Sequence, residues 1–173
     1  MKKIILLTFL FLTACTGIPD GIKPIDNFDV NRYVGKWYEI ARLDNRFERG
    51  LEEITADYSL RDDGGVKVVN SGVDIESGKR EDIEGKAYFI DKPDVGSLKV
   101  SFFGPFYGGY HIIDLDRENY SYAMIVGSDR DYLWILARTP KLDEFVLKNL
   151  TAKAKALGFK TDRLIFPKQT PSN

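Results

Sequence analysis

A chain of 173 residues with 43% hydrophobic side chains and a formal net charge of −1 has enough apolar content for one well-buried domain and carries no basic excess. Those values exclude a disordered chain and argue against a nucleic-acid partner. Neither an internal repeat nor a second domain is apparent.

The chain begins with what reads as an address. Lys2 and Lys3 make a short positive segment, and Ile4 to Leu12 is an apolar run broken only by Thr8, too short for a stable membrane span. Leu12-Thr13-Ala14-Cys15 then sets small residues before the single cysteine of the chain. This spelling resembles a lipobox. The resemblance implies removal of residues 1–14 and acylation of Cys15, with several acyl chains each contributing roughly 0.8 kcal/mol per buried methylene. Thr16, where an aspartate would signal inner-membrane retention, implies an outer-membrane anchor, with the protein expected to face the periplasm and exposure at the cell surface left open. The alternative is an ordinary secretory signal with an incidental cysteine. Residues 16–27 contain Gly17, Pro19, Gly21 and Pro24 without a sustained period, and with Cys15 they read as a tether. Residues 28–168 form the domain and residues 169–173 a tail.

From there, short runs of alternating apolar and polar residues predict strands near 36–43, 53–60, 66–72, 83–90, 97–103, 109–115, 120–127 and 131–138. Turn signals separate them: Asp62-Asp63-Gly64-Gly65, Lys92-Pro93-Asp94, Gly104-Pro105 with Gly108-Gly109, Asp116 to Asn119, and Gly127-Ser128-Asp129. Eight strands without intervening helices predict an all-β antiparallel up-and-down meander that closes into a barrel and so removes its edges. Only Leu142, Phe145, Val146, Leu150, Ala154 and Leu157 keep a helical period, opposite Lys148, Lys153 and Lys155. A helix packed outside the barrel follows, capped near Thr139 with Pro140 in its first turn and stopped by Gly158. Leu164-Ile165-Phe166 reads as a short edge strand.

Gly35-Lys36-Trp37 at the start of the first strand, preceded by Phe28, Asp29 and Tyr33, resembles the first signature region of the lipocalins. Asp114-Leu115-Asp116 matches the second region in part, and Arg138-Thr139-Pro140 fits the third. The resemblance covers about residues 27–166. It implies that Trp37 plugs the closed end of the barrel with the Arg138 guanidinium across its indole, making Gly35, Trp37 and Arg138 structural. It implies also a hydrophobic ligand, such as a fatty acid or lysophospholipid, stored or carried inside the barrel, and a role in envelope maintenance under stress.

Alternation from Trp37 gives the inward face. Glu39, Ala41 and Leu43 come from the first strand, Ile54, Ala56, Tyr58 and Leu60 from the second, and Val66, Val68 and Asn70 from the third. Ala87 and Phe89 follow, then Leu98, Val100 and Phe102, Tyr110 and Ile112, Ala123 and Ile125, and finally Tyr132, Trp134 and Leu136. Within this set the expected ligand contacts are Ala41, Leu43, Ala56, Tyr58, Val68, Asn70, Ala87, Phe89, Val100, Phe102, Tyr110, Ile112, Ile125, Trp134 and Leu136. Small alanines leave room, aromatics supply walls, and Asn70, Tyr58 and Tyr110 can orient a ligand. Glu39 must be paired, protonated or wet, and a tyrosine or trapped water is expected beside it.

At the open end, Arg42, Arg46, Arg49, Lys79, Arg80 and Arg130 suggest a cationic rim for a carboxylate or phosphate. The interleaved Asp44, Glu48, Glu52 and Glu53 suit an ordinary solvated surface equally well. Phe47, Leu51, Phe106 and Tyr107 fit an entrance lining, a membrane contact or self-association into a homodimer. Catalysis is not expected. With Cys15 as the anchor and His111, the one histidine, facing outward at the surface, neither a nucleophile–base pair nor a Cys/His metal site is available, and no cofactor is implied. A structural envelope protein with a filled barrel is the competing reading, and a lipid-modifying lipocalin enzyme a more distant one.

Overall fold

The computed structural model of the protein describes residues 16–170. Residues 1–15, with the expected leader and the expected acylation site Cys15, and the last three residues lie outside the described residues. A one-turn helix, α1 (Val30–Tyr33), leads into β1 (Gly35–Arg42), β2 (Leu51–Leu60), β3 (Val66–Asp74), β4 (Arg80–Phe89), β5 (Ser97–Ser101), β6 (Gly108–Leu115), β7 (Tyr122–Val126) and β8 (Leu133–Ala137). The strands close in sequence order into one antiparallel barrel, β8 pairing back onto β1. A longer helix, α2 (Glu144–Ala156), and a single 3₁₀ turn (Thr161–Arg163) follow.

The predicted strand order is what the turns enforce. Between β2 and β3, Gly64 adopts φ +79° and the Asp63 carboxylate takes the Gly65 amide at 3.0 Å, closing the hairpin. The Arg61 guanidinium and that amide hold the Asp63 carboxyl well below the usual range. Loops β1–β2, β3–β4, β5–β6 and β7–β8 gather at one end of the barrel, the mouth. The other three hairpins and α1 gather at the closed end.

The apolar side chains divide into two layers. An inner cluster, including Trp37, Tyr58, Val68, Ile112, Ile125 and Leu136, fills the lower barrel. An outer cluster, including Ile113, Met124, Leu133 and Ile135, lies under Leu150 and Ala154 of α2. The helix begins later than expected. Thr139 spends its hydroxyl on the Lys141 carbonyl at 2.8 Å, and Asp143 is the cap, accepting from the Phe145 and Val146 amides at 3.0 and 3.1 Å. Gly158, with φ +87°, ends it, and Arg130 donates to the Leu157 carbonyl there at 2.8 Å.

Both flanking segments differ from their sequence reading. Residues 16–27 are no loose tether. Ile22 and Ile25 are buried, the Ile25 amide donates to the Ile112 carbonyl at 2.8 Å, and the Gly96 amide donates to the Ile25 carbonyl at 2.9 Å. The segment is a strap along the barrel wall. His111 lies beneath it, buried rather than at the surface: Nε2 meets the Gly17 carbonyl at 2.8 Å and Nδ1 the Ser97 hydroxyl at 2.9 Å. At the other end, Leu164–Phe166 makes one bridge instead of a strand, Ile165 exchanging two backbone bonds with Arg42. The chain then closes a seam. The β1–β2 ladder runs from Gly35↔Tyr58 to Tyr38↔Thr55, and beyond it Gln169 Nε2 donates to both the Glu39 and Ile54 carbonyls, at 2.8 and 2.9 Å.

Candidate functional site

The closed end is sealed by polar groups that satisfy one another. Asp29 caps α1, its Oδ1 accepting from the Asn31 amide at 2.9 Å, and so turns residues 30–34 across the barrel base. Trp37, fully buried, donates from Nε1 to the Tyr33 carbonyl at 2.8 Å. The Arg138 guanidinium sits 4.0 Å from the Trp37 ring centroid and donates to the carbonyls of Arg32, Tyr33, Val34, Lys36 and Tyr120 at 2.8–3.3 Å. Gly35 lies at φ +94°, a backbone conformation that side chains with a Cβ rarely adopt, as β1 leaves the base. The partial second motif also has a clear task. The Asp116 carboxylate takes the amides of Glu118, Asn119 and Ser121 at 3.2–3.3 Å and shapes the β6–β7 turn.

Above this floor lies a cavity of about 120 Å³. Its wall includes ten of the expected contacts: Ala56, Tyr58, Val68, Asn70, Ala87, Val100, Phe102, Tyr110, Leu136 and, near the mouth, Trp134. Val66 and Leu98, also read as inward, line it too. Phe28, Val30, Tyr33 and Val34 form part of it because α1 folds under the barrel, a placement that strand alternation does not reach. The Asp29 cap was the available signal.

Five expected wall residues are elsewhere. Ala41 and Leu43 belong to the outer cluster, because a bulge between Glu39 and Ala41 in the β1–β8 pairing shifts the alternation by one residue. Phe89 faces inward but packs on Phe28, ring centroids 6.2 Å apart, at the closed end. Ile112 and Ile125, cross-strand partners with no exposed surface, complete the inner cluster without reaching the cavity.

The same bulge turns Arg42 inward. It is 3% exposed, not a rim residue, and its Nη1 lies 2.7 Å from Glu39 Oε1, itself 2% exposed. Glu39 is therefore paired by an arginine rather than by the expected tyrosine or water. Arg42 Nη2 also donates to the Glu48 carbonyl at 3.0 Å, and Trp134 Nε1 donates to Glu48 Oε2 at 3.0 Å. Asn45 donates to that same carboxylate oxygen. Burial, and then the charge of Glu48, push the Glu39 carboxyl well above the usual range, against the pull of Arg42. Glu39 and Glu48 both touch the cavity, so two carboxyl groups and one guanidinium stand below its mouth.

Deeper in, Tyr110 is the hub of a hydroxyl chain, 2.7 Å from the Tyr33 hydroxyl and 2.9 Å from that of Tyr58. Burial raises all three phenols, which therefore stay neutral and able to donate. Asn70 Oδ1 is buried on the wall and meets no donor among the described residues. The rim arginines do not form a cationic ring. Arg49 is paired with Asp44 at 2.7 Å and Arg80 with Glu53 at 2.8 Å, while Arg130 donates to the Asp20 and Leu157 carbonyls on the outer wall.

The comparisons with known proteins agree with this geometry. The Lipocalin-like domain family matches residues 28–169. The chain is 49% identical to the outer membrane lipoprotein Blc of Vibrio cholerae, over 95% of this chain and 96% of that one. It is 54% identical to the protein of that name from Escherichia coli, over 89% and 86%. Among solved structures, insecticyanin of Manduca sexta superposes with a TM-score of 0.70 at 22% identity, covering 90% of this chain and 88% of that one, a likeness of fold. By its family match, its relatives and its closed barrel, the chain belongs to the lipocalin family.

Proposed function

We propose that the protein is a lipid-anchored lipocalin of the bacterial outer membrane that binds and carries an apolar, single-chain lipid, a fatty acid or a lysophospholipid. Cys15 is its acylation site and the periplasm its compartment. The naming of close relatives as outer membrane lipoproteins supports the location. The observation that carries the ligand is the cavity: a wall of Ala56, Val68, Ala87, Val100, Phe102 and Leu136, interrupted by a few hydroxyl, amide and carboxyl groups. Apolar walls bind a hydrocarbon tail without direction, while sparse polar groups set its orientation. Asn70 Oδ1 and the Tyr110 hydroxyl supply an acceptor and a donor within the wall. The protein binds its ligand without turning it over.

Titration calorimetry of the delipidated protein with palmitate and with lysophospholipids tests it. Saturable binding near one ligand per chain is expected, with affinity lost in Ala56→Trp, whose indole would occupy the cavity. A folded protein that gives no saturable heat with any chain length would sink the proposal.

A further inference from the structure

We infer that the floor of the cavity is a polar subsite for a hydroxyl group on the buried end of the ligand, so that the preferred lipid is a hydroxylated acyl chain bound tail-first. This rests on the lipid-binding reading proposed above and names the ligand class within it. The hydroxyls of Tyr33, Tyr110 and Tyr58 form one chain with two contacts, 2.7 and 2.9 Å long. Burial keeps all three phenols neutral, so the chain holds three O–H donors. Two of them are spent on the two contacts. Whichever way the hydroxyls turn, one O–H is left without an acceptor among the described residues. That proton can be presented at either end of the chain or at its hub, and all three residues line the cavity. Ring packing holds the three oxygens in place. Tyr33 lies 4.7 Å from Trp37 and 5.4 Å from Tyr58 between ring centroids, and Tyr58 lies 6.2 Å from Tyr110.

The matching acceptor stands one step up the wall. In the β2–β3 register Tyr58 opposes Val68 and Ala56 opposes Asn70. Asn70 is therefore the diagonal neighbour of Tyr58 on the inward face, about 7–8 Å away. Its Oδ1 is buried and meets no donor among the described residues. A plain hydrocarbon end would leave both the spare phenol donor and this acceptor unpaired in an apolar wall. A carboxylate does not answer both, because it offers acceptors only, and among the described residues no lysine or arginine lines the cavity to balance its charge. A hydroxyl answers both, accepting from a phenol and donating to Asn70. The ionic groups Glu39, Arg42 and Glu48 cluster below the mouth, which leaves the floor to the chain end of the lipid rather than its head. A site built to hydrogen-bond a hydroxyl discriminates against the analogue that lacks it, because its own buried polar groups then go unpaired.

The test is titration calorimetry of the delipidated protein with two matched series of saturated acids, from decanoate to stearate. One series is plain and the other carries a hydroxyl on the terminal carbon. At the length that reaches the floor, the hydroxylated acid is expected to bind about tenfold more tightly than the plain one. Asn70→Leu is expected to cut that preference to about threefold or less and to leave the plain acids bound at least as well. In the unaltered protein, the Asn70 side-chain amide resonance is expected to move with the hydroxylated acid and to stay in place with the plain acid of equal length. Equal affinities of the two series at every length overturn the proposal, as does a preference that Asn70→Leu leaves untouched. Failure of every acid to bind defeats the lipid reading itself. Binding of plain acids with no gain from the hydroxyl defeats the subsite alone.

Discussion

The two ends of the barrel are built on opposite rules. At the closed end, the guanidinium of Arg138 ties together five carbonyls and covers the Trp37 ring. Asp29 and Asp116 cap its turns, and ionic groups serve the backbone. At the mouth, apolar tips face outward and an ion pair, Glu39–Arg42, is buried within. Satisfied polar groups fix a structure; an exposed apolar rim over a buried charge does not repay itself in stability and points to binding. The closed end is the scaffold, and the mouth and cavity are where a ligand acts.

The contrast can be broken most forcefully at Arg138. Arg138→Ala removes charge-assisted hydrogen bonds and a cation–π contact, and should cost about 4 kcal/mol of stability, allowing for partial exposure. Urea unfolding measures it, and ligand affinity of the fraction that folds should be unchanged. At the mouth, Arg42→Met strands the buried Glu39 carboxyl group and should cost about 3 kcal/mol at neutral pH. That loss should shrink on acidification. The folded-state pKa of Glu39 lies above its ordinary value of 4.5. Its contribution is therefore present below 4.5 and is lost as pH rises through the folded value, more so without Arg42. Thermal unfolding at several pH values follows the effect.

Smaller effects sharpen the same division. Asp143→Ala, which uncaps α2 outside the barrel, should cost about 1 kcal/mol in thermal unfolding and leave ligand affinity intact. The smallest effect concerns the strap. Burial lowers His111 below its ordinary value of 6.5, outweighing the Gly17 carbonyl bond. The unfolded chain takes up its proton first as pH falls, so this contribution is lost on acidification below about 6.5. Amide exchange at Ile25 should quicken there, and His111→Asn should flatten the dependence.

The sequence is most legible where local chemistry alone decides the structure. Strand alternation and the Asp/Gly turns specify eight strands, and Gly35-Lys36-Trp37 with Arg138 marks the base. It is least legible where two segments distant in sequence determine a position. One bulged residue after Glu39 reverses the faces of Ala41, Arg42 and Leu43, and nothing in Glu39-Ile40-Ala41-Arg42 announces it. The floor of the cavity is Tyr33 and Phe28 because α1 crosses under the barrel, and the strap is ordered because Ile25 finds the Ile112 backbone. Gly17, Pro19 and Gly21 signal a linker by composition, but the buried Ile22 and Ile25 that follow them anchor it.

The most direct test of the division uses its two tryptophans, one at each end of the inner space. Trp37 is fully buried in the base, and Trp134 lines the cavity with its Nε1 on Glu48. Fluorine NMR of protein carrying 5-fluorotryptophan gives one resonance for each, assigned with Trp134→Phe. Saturation with palmitate or a lysophospholipid should shift the Trp134 resonance and leave that of Trp37 in place. A shift confined to Trp37, or none at either residue with any lipid, would contradict the account.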